Sequence, residues 1–172
     1  SISSCIEMWL KIVDEIHTKE AAMKPGSKLA AQKYYKFVDL GSGTGIMPIV
    51  GALLVPHFYR GKKKWRMFGV EIVAQPCMLS RVFRNQMYEE AQKEDINTAW
   101  LHSQCDVTFC HAGFDDLWTK VEVDVFYLLN RSLATPVLYT VVNLLANSTR
   151  PKLVIFQIIG SATPLENELI VN

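Results

Sequence analysis

Phe37-Val38-Asp39-Leu40-Gly41-Ser42-Gly43-Thr44-Gly45 decides how this chain is read. Apolar residues lead into an acid, and three glycines follow at alternate positions. A buried strand arrives, turns sharply, and a helix starts at about Ile46. Glycine admits a ligand close to the backbone, where a side chain would block it. The amides of the turn and the N-terminus of the helix then face that ligand. A dinucleotide fingerprint reads G-x-G-x-x-G, and its third glycine would fall at Ile46. The pattern here is instead acid-x-G-x-G-x-G, with Asp39 two residues before the first glycine.

Downstream, Met67-Phe68-Gly69-Val70-Glu71 reads as a second strand ending in an acid. Glu71 lies 26 residues after Gly45, one helix and one strand onward. That is where open α/β folds place a carboxylate to accept hydrogen bonds from ribose hydroxyls. Pro48 is tolerated only in a first helical turn, which supports a helix start at the glycine loop. A helix follows from Gln75 to about Glu94, with Met78, Val82, Phe83 and Met87 toward the sheet and Arg81 and Arg84 outside. Asp106 to His111 reads as the third strand. Val123 to Asn130 is the fourth, apolar as a strand buried on both faces should be. Lys152 to Gln157 is the fifth.

The acid, the glycine loop and Glu71 together resemble the class I S-adenosylmethionine (SAM) dependent methyltransferases. The resemblance implies an α/β fold: a Rossmann-like, doubly wound, mostly parallel sheet, preceded here by an N-terminal amphipathic helix. Only 15 residues follow Gln157, so the C-terminal strand pair of that fold is expected to be missing. The resemblance also implies roles. Asp39 lies under the methionine end of the cofactor, and Gly41, Ser42, Gly43 and Gly45 pass beside its carboxypropyl and ribose groups. Glu71 takes the ribose. Phe114 covers the adenine and Asp115 accepts its amino group, although the usual order of these two residues is inverted. Asn130, at the tip of the fourth strand, sits beside the transferred methyl group as the catalytic candidate. It begins Asn130-Arg131-Ser132-Leu133, without the prolines of nucleobase methylases.

One subgroup fits better than others. The glycine loop, Gly69-Val70-Glu71, the stretch from Gly113 to Trp118, and Asn130 with Ala134 and Pro136 resemble the disruptor-of-telomeric-silencing type of histone lysine methyltransferase. That group has Gln where this chain has Ile46, and two asparagines where it has Leu129 and Asn130. The implied activity is methyl transfer from S-adenosyl-L-methionine to a nitrogen, with a protein lysine, of a histone, as first choice. RNA and small molecules are the alternative substrates. A non-catalytic methyltransferase-like subunit is the alternative of another class.

The chain has 172 residues, 49% hydrophobic and 20% charged, with a net charge of +1. That composition is globular and supplies no global field for nucleic acid or membrane. No apolar run reaches the length of a membrane span, and the first twenty residues lack a signal-peptide pattern. An intracellular place, nuclear or cytoplasmic, is expected. Cys5, Cys77, Cys105 and Cys110 form no C-x-x-C pair and read as reduced thiols. No metal site is expected, because Cys105, Cys110 and His111 lack a fourth ligand. Residues 1–35 read as a helical segment and 36–172 as the SAM-binding domain. In the first helix Ser4 and Glu7 have capping-box spacing, and Ile6, Trp9, Leu10, Val13 and Ile16 recur at helical spacing. Arg60-Gly61-Lys62-Lys63-Lys64-Trp65-Arg66 is the strongest charge cluster. It precedes the second strand and so falls at the sheet edge opposite the ligand side. A solvated loop, a nucleic-acid contact and a nuclear-import signal are its three readings.

Overall fold

The computed structural model describes residues 1–113, 123–130, 136, 139–141, 143, 153–158 and 169–171. Phe114 and Asp115 lie outside the described residues. Six strands form one sheet: β1 (Tyr34–Leu40), β2 (Lys64–Glu71), β3 (Cys105–His111), β4 (Val125–Asn130), β5 (Leu153–Ile158) and β6 (Leu169–Val171). Their order is β3-β2-β1-β4-β5-β6. The first five run parallel, and β6 runs antiparallel to β5. Of the strand pair expected to be missing, one member is therefore represented, by the three residues of β6. Among the described residues the helices include α1 (Ile2–Ala21), α2 (Lys28–Ala31), α3 (Ile46–Phe58), α4 (Ala74–Lys93) and α5 (Thr98–Gln104).

This is the Rossmann-like, doubly wound arrangement. The strand order reverses between β1 and β4, so the C-terminal tips of those two strands border a crevice. The glycine loop leaves β1 at that tip. Leu40 pairs with Leu128, and Asn130 stands two positions further along β4 at the same edge.

Helix α1 shares the main core with the sheet. Trp9 is 1% exposed, and its ring lies 4.6 Å from that of Phe37. Its indole N–H donates to the Met47 carbonyl at 2.8 Å. A Cβ on Gly51 of α3 would sit 2.3 Å from the Trp9 ring, so the glycine makes the gap the indole fills. Of the expected stripe, Trp9, Val13 and Ile16 are buried, while Leu10 is exposed and Met8 and Ile12 take its place. The capping box is not formed. The helix begins at Ile2, and the Ser1 hydroxyl caps it by accepting from the Ser4 amide.

Two further expectations are corrected. Strand β2 begins at Lys64, so three of the seven residues of the basic cluster are strand, and Trp65 among them is buried. Helix α4 turns a different face inward. Cys77, Ser80, Tyr88 and Ala91 are buried there, whereas Met78, Val82 and Phe83 are exposed and only Met87 packs partly against the core. The Arg81 and Arg84 guanidinium groups reach the sheet and donate to the carbonyls of Phe109 and Val107 at 3.1 and 3.0 Å. Arginine bridges to strand carbonyls hold this helix where apolar contact was expected.

Candidate cofactor site

The glycine loop is built on the end of β2. Gly41 and Ser42 both donate their amides to the Val70 carbonyl, at 2.8 and 3.0 Å, and Gly45 donates to the Ser42 carbonyl at 2.8 Å. Gly41, Gly43 and Gly45 all have positive φ, of 75°, 55° and 76°. Two of them serve different ends. A Cβ on Gly43 would meet nothing within 4 Å, so the space beside it is open. A Cβ on Gly45 would lie 2.3 Å from Phe109 and 2.9 Å from Ser80. Close approach at Gly45 is thus by the protein's own β3 and α4, a correction to the reading that a ligand alone demands the glycines. Gly69 repeats the pattern, with Phe109 at 2.5 Å from its would-be Cβ.

Glu71 ties the loop to the next helix. One carboxylate oxygen accepts the Gly43 amide at 2.8 Å, and the other accepts the amide of Val73, the residue before α4, at 2.9 Å. A carboxylate offers about four lone-pair sites, so acceptor capacity remains on both oxygens. The side chain is 8% exposed.

Asp39 is deeper, at 3% exposure. Its Oδ1 is buried with no hydrogen-bond partner among the described residues, and so is the hydroxyl of Ser42. Burial, and secondarily the charge of Glu71, push the Asp39 carboxyl up to about 8. Its field is felt nearby: burial first and Asp39 second raise the Tyr127 hydroxyl. Tyr127 pairs with Asp39 across the β1–β4 register and thus shares its face of the sheet. An orphaned buried carboxylate oxygen carries a free-energy cost that a positively charged or hydrogen-bonding partner removes. It makes this edge the candidate ligand site.

The sequence-derived residues thus fall into three groups. Asp39, Gly41, Ser42, Gly43, Gly45 and Glu71 come together at one edge. Asn130 reaches that edge by its backbone position. Phe114 and Asp115 are outside the described residues. Three contributors were missed: Val70, whose carbonyl anchors the loop; Phe109, which needs two glycines; and Ile72, which follows Glu71, is 63% exposed and would lie 3.9 Å from a Cβ on Gly113. An apolar residue directly after a strand-end acid was the available signal for Ile72. Among the described residues no group of His, Cys, Asp and Glu could hold a metal ion, and the four cysteines are free.

No protein-family model and no curated protein matches the chain. Several solved structures do. A conserved hypothetical protein from Streptococcus pyogenes is 12% identical, with 81% of this chain covering 75% of that one at a TM-score of 0.48. An rRNA methylase from Streptococcus thermophilus is 11% identical, with 74% covering 63% at a TM-score of 0.43. A mutant of MtNAS in complex with S-adenosylmethionine is 17% identical, with 84% covering 44% at a TM-score of 0.40. The chain thus spans less than two thirds of the length of the last two. Identities and superpositions at this level bear on neither substrate nor chemistry.

Proposed function

We propose that this chain binds S-adenosyl-L-methionine at the C-terminal tips of β1 and β2 and transfers its methyl group to a nitrogen nucleophile, with a histone lysine as first choice of substrate. The observation that carries the reading is the buried Asp39 carboxylate with an orphaned oxygen, set beside a Glu71 that is hydrogen-bonded to the glycine loop. In this reading Asp39 attracts the ammonium of the methionine moiety. Glu71 accepts from the ribose with its remaining lone pairs, and the open space at Gly43 lets the cofactor lie against the backbone. Ile72 offers an apolar surface to the adenine together with Phe114, and Asp115 accepts its amino group.

The bound cofactor would supply an activated methyl group on a sulfonium. The chain's own task is to aim a lone pair at that carbon and to exclude water. Positioning of this kind contributes about 7–11 kcal/mol of barrier reduction in well-oriented systems. In this reading Asn130, at the strand tip beside the loop, orients the incoming amine. The lysine preference rests on the likeness of the glycine loop and Asn130 to the disruptor-of-telomeric-silencing group.

Transfer of a radiolabelled methyl group to core histones, to total RNA and to a small-amine panel tests this. Label on histone lysine that falls at least tenfold with Asn130→Ala, with cofactor binding intact, supports it. Label on RNA alone moves the substrate and keeps the enzyme. A second reading, a non-catalytic partner subunit, is favoured by one observation. Both Glu71 oxygens already bond to the chain's own amides, so Glu71 would serve as a loop clamp. Failure of the folded protein to bind cofactor supports that reading.

A further inference from the structure

Nine of the chain's 18 lysines and arginines fall in two short stretches, residues 24–36 and 60–66, and neither stretch contains an acid. The other 152 residues hold nine basic and seventeen acidic side chains. The near-zero net charge therefore hides a strong asymmetry. The fold joins the two stretches. Tyr34 pairs with Lys64 and Lys36 with Arg66 across β1 and β2, and the Lys64 amide donates to the Lys33 carbonyl at 3.1 Å.

Alternation then sorts the side chains. Tyr35, Phe37, Trp65 and Met67 are buried on the face that carries α1 and α3. Residues 34, 36, 64 and 66 stand on the other face, at its N-terminal end, where Lys64 and Arg66 are exposed and Tyr34 and Lys36 half-buried. Lys33, Arg60 and Lys62 continue the strip around the strand ends and are exposed as well. The Arg66 guanidinium lies over the Tyr34 ring, 4.0 Å from its centroid. Lys63 differs from the rest. Its ammonium turns inward to the carbonyls of Leu29, Ala30 and Gln32, where it closes the end of α2. A cavity of about 720 Å³ opens between α2 and residues 61–64, with Lys33, Lys62, Lys64 and one acid, Glu20, on its wall.

Among the described residues none of these cations forms an ion pair. Among the described residues the one ion pair is Lys93 with Glu90, on α4. The acids nearest the strip are otherwise placed. Glu20 accepts from the hydroxyls of Tyr35 and Tyr59, Asp124 accepts from the Lys36 amide and from Gln32, and Asp106 neighbours Arg66 in register on β3. Six cations without an ion-pair partner among the described residues repel one another, and a polyanion relieves that repulsion while releasing its own counterions. A guanidinium stacked on a ring is also a flat platform for an unpaired base.

We propose that this strip binds single-stranded nucleic acid. Lys33, Lys36, Arg60, Lys62, Lys64 and Arg66 hold its phosphates, and the Arg66–Tyr34 stack receives a base. It lies at the edge of the sheet opposite the glycine loop and is independent of the cofactor reading. The test is a fluorescence-anisotropy titration of the full chain with a labelled single-stranded oligouridylate over a range of salt. Six phosphate contacts give a log–log salt slope of about −4. The triple variant Lys62→Glu/Lys64→Glu/Arg66→Glu should bind at least tenfold more weakly, with a slope shallower by about two. Tyr34→Ala should weaken oligouridylate but leave inorganic polyphosphate unchanged. Should the triple variant lose its circular dichroism, Lys62→Gln/Lys64→Gln repeats the test at exposed positions. No binding by the wild type at low salt, or equal binding by a folded charge variant, overturns the proposal. So does poly-glutamate or an anionic vesicle competing as well as the oligonucleotide, because the partner is then an acidic protein or a lipid surface. Glu71→Ala should leave the titration unchanged.

Discussion

The two ends of the β1–β2 pair are built on opposite principles. At the C-terminal end two carboxyl groups are buried, one is hydrogen-bonded to the glycine loop, and the other keeps an oxygen without a partner among the described residues. At the N-terminal end the charges are positive and mostly exposed, and none forms an ion pair among the described residues. Burial makes each charge at the first end energetically large and specific to one geometry. Exposure makes each charge at the second end small and additive. A single buried substitution should therefore abolish what the first end does, whereas the second should fail only by degrees.

The largest effect should come from the wedge that holds both ends in register. Trp9→Ala removes the indole packed against Phe37 and Gly51 and should destabilise the chain by about 3–5 kcal/mol, read as a lowered urea midpoint. An unchanged midpoint would mean that α1 is dispensable to the core. Next is Gly45→Val. It adds a side chain where even a Cβ clashes with Phe109, at a backbone angle that suits glycine. A loss of about 1–3 kcal/mol is expected from overpacking alone, together with loss of cofactor binding. Gly43→Ala adds a Cβ into open space. It should cost less stability than Gly45→Val while still weakening cofactor binding, which separates the glycine that serves packing from the one that serves a ligand.

Asp39 gives the comparison a pH signature. Its folded value is raised from 3.8 to about 8, so the folded state holds a proton that the unfolded state has lost between those values. The contribution to stability is complete at acid pH and is lost as pH rises toward 8. The ligand-free protein should lose stability over that range, and Asp39→Asn should flatten the dependence in urea melts at pH 5 and pH 8. Binding of an ammonium-bearing ligand runs the other way. It favours the carboxylate, so affinity should rise from pH 6 to pH 8, by about tenfold per unit at most. The smallest effect belongs to the opposite end: Lys62→Gln and Lys64→Gln should each shift stability by no more than about 0.5 kcal/mol.

How much was legible in the sequence follows the same division. The glycine loop, the strand-end acids and the parallel order could be read because spacing along the chain sets them. Asp39, Gly43 and Glu71 meet for the reason that one strand, one helix and the next strand fix their separation. What periodicity misread was α4, whose sheet-facing side uses Cys77, Ser80 and Ala91 with two arginine bridges. Apolar count is a poor guide where carbonyls at the sheet edge can accept from guanidinium groups. The shift of β2 into the basic cluster has a similar cause: Trp65 is the one core residue among charges, and its period-two partner Met67 shows the strand only once Lys64 is paired. The asymmetry of charge was visible in composition by segment, but its convergence on one sheet face required the register of β1 with β2.

The C-terminal end of this pair is proposed as the cofactor site. Calorimetric titration of the folded protein with S-adenosylhomocysteine, with Glu71→Ala as the comparison, addresses it most directly. Micromolar binding that the substitution weakens at least tenfold, about 1.4 kcal/mol, is the expected result. No heat of binding from a protein that melts cooperatively would contradict the claim and leave Glu71 as a clamp on its own loop.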